Sequence, residues 1–85
     1  MENRTLSLED IKILVEKVHA AQQVGHCINF DYNNYSIAIH TMIGEFSNEK
    51  RWDKHFYMYN SEEPRATYKE CIAYLEKLAG EKRDN

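Results

Sequence analysis

Residues 27–43 read CINFDYNNYSIAIHTMI, with apolar side chains at every second position on both sides of an Asn-Asn pair. A period of two is typical of β-strands that bury one face, and two such runs joined by a short polar pair favour a hairpin. The pattern therefore predicts two antiparallel strands that turn at Asn33 and Asn34. In this register the apolar face pairs Tyr32 with Tyr35, Phe30 with Ile37 and Ile28 with Ile39, and the other face pairs Asp31 with Ser36, Asn29 with Ala38 and Cys27 with His40.

The segment before the hairpin has the signals of an amphipathic helix. Ser7 is a favoured N-cap residue and Asp10 stands in the capping-box position, while Leu6 can contact Ile11 across the cap. Gly25 supplies the C-terminal stop. At about 100° per residue, the main apolar face consists of Leu8, Ile11, Leu14, Val15, Val18 and Ala21.

A third strand is predicted over residues 52–60, where both alternating sets of side chains are largely apolar. We favour Trp52, Phe56 and Met58 as the buried set, which leaves His55, Tyr57 and Tyr59 on the open face. The opposite assignment stays open at this point and would bury the two tyrosines. Lys54 shares the parity of the buried set, so we expect it at a sheet edge with its ammonium group in water.

The last helix has two alternative starts. Ser61 can cap it with Pro64 in the first turn, or Thr67 can cap it with Glu70 in the capping-box position. Gly80 ends it under either alternative. Its apolar stripe consists of Tyr68, Cys71, Ile72, Leu75, Leu78 and Ala79.

These elements predict one small α+β domain over residues 1–85, with the order α-β-β-β-α. Two helices packed on one face of a three-stranded antiparallel meander are the simplest way to bury every apolar stripe in a single core. The chain of 85 residues is long enough for one core and too short for two. We expect residues 1–5 and 81–85 to fray, because chain ends without apolar anchors are poorly ordered.

Composition restricts the class of protein. The net charge is −3, and the chain has two cysteines without a spacing motif and no membrane-length apolar run. These features predict a cytoplasmic domain with two free thiols and no membrane segment. A mildly acidic chain of this kind also has no broad basic surface for phosphates.

Metal binding and catalysis are both disfavoured by the spacing of the reactive side chains. Cys27 and His40 face each other in the predicted hairpin and His55 can join them, yet no two ligands have the close spacing of a zinc motif. The same pair resembles a nucleophile and its base but lacks an oxyanion hole and a pocket. We therefore expect no metal, no cofactor and no enzymatic activity.

The open face of the sheet is the best candidate site. On the favoured assignment it combines Tyr57, Tyr59, His55, His40, Asn29 and Asp31. Tyrosine offers a large contact area with few rotamers and is enriched in protein interfaces. We therefore predict a small module that binds another protein. By analogy of size and charge alone, it would be a regulator or inhibitor, a class that includes inhibitors of mobile elements.

A nucleic-acid or nucleotide binder is the alternative, because aromatic sheet faces stack bases and Lys50, Arg51 and Lys54 lie nearby in the sequence. The element order resembles that of double-stranded-RNA-binding domains. Those domains begin their last helix with a lysine-rich segment, whereas residues 61–67 read SEEPRAT here. We therefore expect a protein partner in preference to nucleic acid.

A second apolar stripe on the first helix consists of Ile13, Ala20 and Val24, nearly opposite the main face. One helix cannot bury both stripes in a thin core. The second stripe is either scattered surface hydrophobicity or a contact with another subunit, which makes a homodimer one interpretation.

Overall fold

The computed structural model describes residues 6–49, 51–59 and 64–80. Along the chain it contains α1 (Leu8–Gln23), β1 (Cys27–Tyr32), β2 (Ser36–Met42), β3 (Lys54–Tyr59) and α2 (Arg65–Gly80). The strands form an antiparallel meander in the order β1-β2-β3. The predicted α+β architecture is confirmed. The ends that were expected to fray, 1–5 and 81–85, lie outside the described residues.

Helix α1 begins with the predicted capping box. The Ser7 hydroxyl accepts a hydrogen bond from the Asp10 N–H at 3.1 Å, and the Asp10 carboxylate accepts one from the Ser7 N–H at 2.9 Å. The helix ends at Gln23, and Gly25 then adopts a φ of 108°, which is strained for any residue with a β-carbon. Two exchanged hydrogen bonds and one glycine therefore set the limits of this helix.

The core lies between the two helices and one face of the sheet. Helix α1 packs against β1, α2 packs against β3, and the two helices pack against each other. Ile37 and Ile39 of β2 are 4% and 0% exposed and belong to one buried cluster with side chains of both helices. The buried cluster consists of Leu14, Val18, Ala21, Ile28, Ile37, Ile39, Phe56, Met58, Tyr68, Cys71, Leu75 and Leu78.

The buried face of α1 is rotated relative to the prediction. Leu8 and Val15 were expected in the core but are 68% and 43% exposed. The second stripe, expected on the opposite side, is instead half-buried at Ile13, Ala20 and Val24. The reason is that α2 lies beside α1 on the same sheet face, so α1 buries side chains toward both its strand and its neighbouring helix.

The hairpin register differs by two residues from the prediction. Tyr32 pairs with Ile37 and Cys27 with Met42, so neither Tyr32 with Tyr35 nor Cys27 with His40 is a cross-strand pair. The Asn33 side-chain oxygen accepts the N–H groups of Tyr35 and Ser36 at 2.8 and 3.0 Å, which moves the turn one residue along the chain. Because the shift is even, each strand still presents the predicted face to the core.

The third strand has the favoured orientation but a later start. It begins at Lys54, with Phe56 and Met58 buried at 6% and 2% exposure. Trp52 precedes the strand and contacts His40, so the prediction that it belongs to the core is wrong. The Lys54 ammonium group lies 5.7 Å from the ring centre of Phe56, at the edge of the sheet as expected.

Helix α2 begins at Arg65, so the alternative start at Thr67 is wrong. The Pro64 carbonyl accepts the Tyr68 N–H at 2.9 Å, which places Pro64 directly before the first helical residue. Ser61, the other predicted cap, lies outside the described residues. The predicted stripe is buried at Tyr68, Cys71, Leu75 and Leu78 and half-buried at Ile72 and Ala79.

Asp10 joins the N-terminal ends of the two helices. Its carboxylate lies 3.1 Å from the Arg65 guanidinium, and its backbone carbonyl accepts the Tyr68 hydroxyl at 2.8 Å. The hydrogen bond from the Ser7 backbone, followed by the one from Arg65, lowers the pKa of Asp10. Burial, with the nearby Asp10 charge, raises the pKa of Tyr68. The folded state therefore favours an ionised Asp10 and a neutral Tyr68.

The rotation of α1 is testable with two matched valines. Val18→Ala removes buried methyl groups from a site that is 5% exposed, so the free energy of unfolding should fall by about 1.5–3 kcal/mol. Val15→Ala makes the same change at a site that is 43% exposed and should stay within about 0.5 kcal/mol of the native protein. Urea unfolding measures the free energy of unfolding of both variants. Equal losses would contradict the orientation of α1.

The lowered pKa of Asp10 predicts a pH dependence of stability. A carboxylate with a depressed folded pKa contributes stability above its unfolded pKa of about 3.9, and this contribution disappears as the pH falls through the folded value. The substitution Asp10→Asn should therefore lower the free energy of unfolding at pH 7. Between pH 7 and pH 3 the variant should lose less of its unfolding free energy than the native protein does. Urea titrations at the two pH values measure this difference. An unchanged loss in the variant would show that Asp10 makes no such contribution.

Candidate functional site

The sheet face opposite the helices, called here the outer face, carries alternate residues of all three strands. The register aligns them in cross-strand rows, with Asn29, His40 and His55 in one row and Asp31, Ala38 and Tyr57 in the next. Tyr57 and Tyr59 are 47% and 46% exposed, and both helices pack on the other side of the sheet. The strands thus hold a mixed polar and aromatic surface in a fixed arrangement.

Four outer-face rings form a continuous cluster. The His40 and His55 rings meet edge to face with their centres 4.9 Å apart, and His40 meets Tyr57 in the same manner at 5.6 Å. His55 stacks on Tyr57, and Tyr57 stacks on Tyr59 at 6.3 Å with an interplanar angle of 14°. Aromatic pairs at these distances attract each other, which favours this arrangement of the exposed rings.

Sequence reasoning missed the extension of this cluster by the loop between β2 and β3. Trp52 contacts His40 with ring centres 5.8 Å apart, and Phe46 contacts Trp52 at 6.2 Å. Phe46 is 58% exposed. Two large rings inside a polar loop were the available signal, but nothing in their spacing indicates that the loop folds toward the outer face.

Short hydrogen bonds hold this loop against the sheet. The Asp53 carboxylate accepts the Ile43 N–H at 2.7 Å, and the Asp53 N–H donates to the Thr41 carbonyl at 2.7 Å. Gly44, with a φ of 86°, donates its N–H to Nδ1 of the buried His26 at 3.1 Å. The loop therefore has fixed attachment points on both sides of its aromatic residues.

The outer face has little charge. Among its strand positions, Asp31 is the only residue that is Asp, Glu, Lys or Arg. Lys54 extends toward the rings of Phe56 and Tyr74 on the helix side, at 5.7 and 5.6 Å. Arg51 is exposed in the loop, and Lys50 lies outside the described residues. Of the basic residues in the nucleic-acid alternative, Lys54 therefore lies on the side of the sheet away from Tyr57 and Tyr59.

The six predicted partner-binding residues all lie on the outer face. His40 is half-buried. The other five are exposed, namely Asn29, Asp31, His55, Tyr57 and Tyr59. Their role in binding stays a prediction.

The predicted subunit-contact residue Ile13 lies beside Ile72 and Tyr68 in a groove between α1 and α2. Lys17 and Glu76 form a 2.8 Å ion pair between the same two helices.

The two thiols occupy different environments. Cys71 is fully buried in α2, and this burial raises its pKa to about 12. Cys27 is half-buried at the start of β1. The observed register places Met42, not His40, opposite Cys27, so the predicted cross-strand pair of Cys27 and His40 is not formed.

Comparison with protein-family models found no match, and neither did comparison with curated proteins or with solved structures. The fold and the geometry of the site therefore define the structural class of this protein. It is a small α+β domain in which helices cover one face of the sheet and leave the other face open. Within the described ranges, neither helix is long and apolar enough to cross a membrane.

The difference between the thiols is testable by alkylation of the native protein at pH 8. Cys71 should react only as fast as the domain unfolds, because its thiol is buried and has a raised pKa. Cys27 should react first, without unfolding. Iodoacetamide labelling followed by peptide mass spectrometry distinguishes the two sites. Equal labelling rates in the folded protein would contradict the burial of Cys71.

Proposed function

We propose that this protein is a binding module whose outer face contacts another protein. The observation that carries the proposal is the exposed, mutually stacked pair Tyr57 and Tyr59 on a sheet face away from both helices. Ordered aromatic side chains lose little conformational entropy on binding, and their rings bury a large area per residue. Such residues are typical anchors of protein interfaces.

The composition of the outer face supports a protein partner over nucleic acid. Affinity for nucleic acid depends on cations that neutralise phosphates, and Lys54 lies toward the helix side of the sheet. Arg65, at the start of α2, pairs with Asp10. The one acidic residue of the outer face, Asp31, would repel a phosphate and attract a basic side chain from a protein.

A module of this kind acts by occupancy, as a regulator or inhibitor that covers a surface of its partner. The proposed contact combines rings that exclude water with polar groups that form directional hydrogen bonds, which together provide affinity and orientation. The cytoplasm is the proposed location, consistent with two cysteines that the structure leaves as free thiols. A homodimer through Ile13, Ala20 and Val24 remains a prediction that light scattering tests.

The binding face is tested by the double variant Tyr57→Ser, Tyr59→Ser. Each native ring is nearly half exposed, so the variant should fold while losing the anchors of the interface. Affinity capture from host lysate, with nuclease treatment and mass spectrometry, should recover a protein with the native domain and lose it with the variant. Circular dichroism confirms the fold of each bait.

Tyr35→Ser is the matched control, because Tyr35 is 77% exposed in the hairpin turn and outside the stacked pair. This control should retain the captured protein. Capture should also change little between about 50 and 200 mM salt, whereas phosphate-driven binding weakens steeply over that range. Loss of capture by the control, or a nuclease-sensitive and steeply salt-dependent complex, would contradict the proposed protein-binding face.

A further inference from the structure

The closest pair of reactive side chains on the outer face is formed by His40 and His55. These residues are direct cross-strand partners on β2 and β3, and their Nδ1 atoms are 2.7 Å apart. Two neutral imidazoles at this distance share one hydrogen bond, with one ring as donor and the other as acceptor. The same two nitrogens are metal ligands when their lone pairs converge on one point.

The distance between the nitrogens places both of them within reach of one metal ion. With metal–nitrogen bonds of about 2.0–2.1 Å, two ligands at 90° are about 2.9 Å apart, whereas two ligands at a tetrahedral angle are about 3.3 Å apart. The observed 2.7 Å is the separation of a hydrogen-bonded pair, and a separation of the nitrogens by a few tenths of an ångström brings the pair to the distance of two ligands at 90°. Ligands at 90° are typical of square-planar or octahedral ions, and imidazole is a good ligand for Cu²⁺ and Ni²⁺.

The surroundings of the pair favour chelation. The ladder between β2 and β3 fixes both backbones, so two ligands are brought together before any metal arrives. The Trp52 and Tyr57 rings contact His40 with ring centres 5.8 and 5.6 Å apart and shield one side of it from water. His55 is exposed, which leaves the remaining coordination positions open to water. For chelation the proton between the rings moves to Nε2 of the donor ring, and rotation about χ2, which is broad for histidine, then directs both Nδ1 lone pairs to one ion.

We propose that His40 and His55 form a two-ligand binding site for a divalent ion of the Ni²⁺ and Cu²⁺ class. The described residues contain no group of three or more His, Cys, Asp and Glu side chains arranged for a metal, so water completes the coordination. Asn29, opposite His40 on β1, is the nearest cross-strand position that offers an amide oxygen. The site requires no protein partner and is therefore independent of the proposed binding function.

Isothermal titration calorimetry with Ni²⁺ tests the site on the full chain. Ni²⁺ is the preferred probe because Cu²⁺ oxidises thiols and the thiol of Cys27, which is only half-buried, is partly accessible to it. The native protein should bind one Ni²⁺ ion, and His40→Asn and His55→Asn should each weaken binding by about 100-fold, since each leaves a single ligand. His19→Asn changes an exposed histidine on α1 and should bind as the native protein does.

Thermal unfolding provides a second readout that does not depend on the heat of binding. Excess Ni²⁺ should raise the melting temperature of the native protein and of the His19 variant, because an ion that binds only the folded state stabilises it. The melting temperatures of the His40→Asn and His55→Asn variants should not change with Ni²⁺. Mg²⁺, which prefers oxygen ligands, should stabilise none of the proteins. Binding by either sheet variant within about twofold of the native affinity, or an equal loss in the His19 variant, would overturn the proposal.

Discussion

Burial of the central strand in the core that both helices complete is the interaction on which the rest of the structure depends. Ile37 and Ile39 of β2 share one buried cluster with side chains of α1 and α2, where burial of each side chain is worth about 1.5–3 kcal/mol relative to exposure. A three-stranded sheet is narrow, so two helices on one face must contact each other as well as the strands. This crowding rotates α1 and places Ile13 beside α2 instead of opposite the core.

The same constraint creates the outer face. Because adjacent side chains of a strand point to opposite sides, burying Phe56 and Met58 sends His55, Tyr57 and Tyr59 to the other side. The antiparallel register then sets His40 against His55, which connects the aromatic cluster to β2. The proposed protein contact and the proposed metal site thus share one surface, and both follow from how the core is packed.

Local hydrogen bonds adjust this arrangement without changing its faces. The Asn33 side chain accepts two backbone N–H groups and so moves the turn, which shifts the pairing by an even number of residues. An odd shift would have exchanged the core and solvent faces of one strand, at the cost of the whole buried set. In the β2–β3 loop, two hydrogen bonds of Asp53 likewise fix the backbone next to Trp52.

Periodicity and capping chemistry in the sequence alone determined the element order, the N-terminal box of α1 and the buried faces of β1 and β2, since these depend on neighbouring residues. For β3 the sequence offered two orientations, and the packing of α2 against this strand decided between them by burying Phe56 and leaving Tyr57 exposed. The rotation of α1, the position of Trp52 over His40 and the 2.7 Å approach of His40 to His55 were decided by tertiary structure. Each of these depends on how separate elements pack together, and no local pattern carries that information.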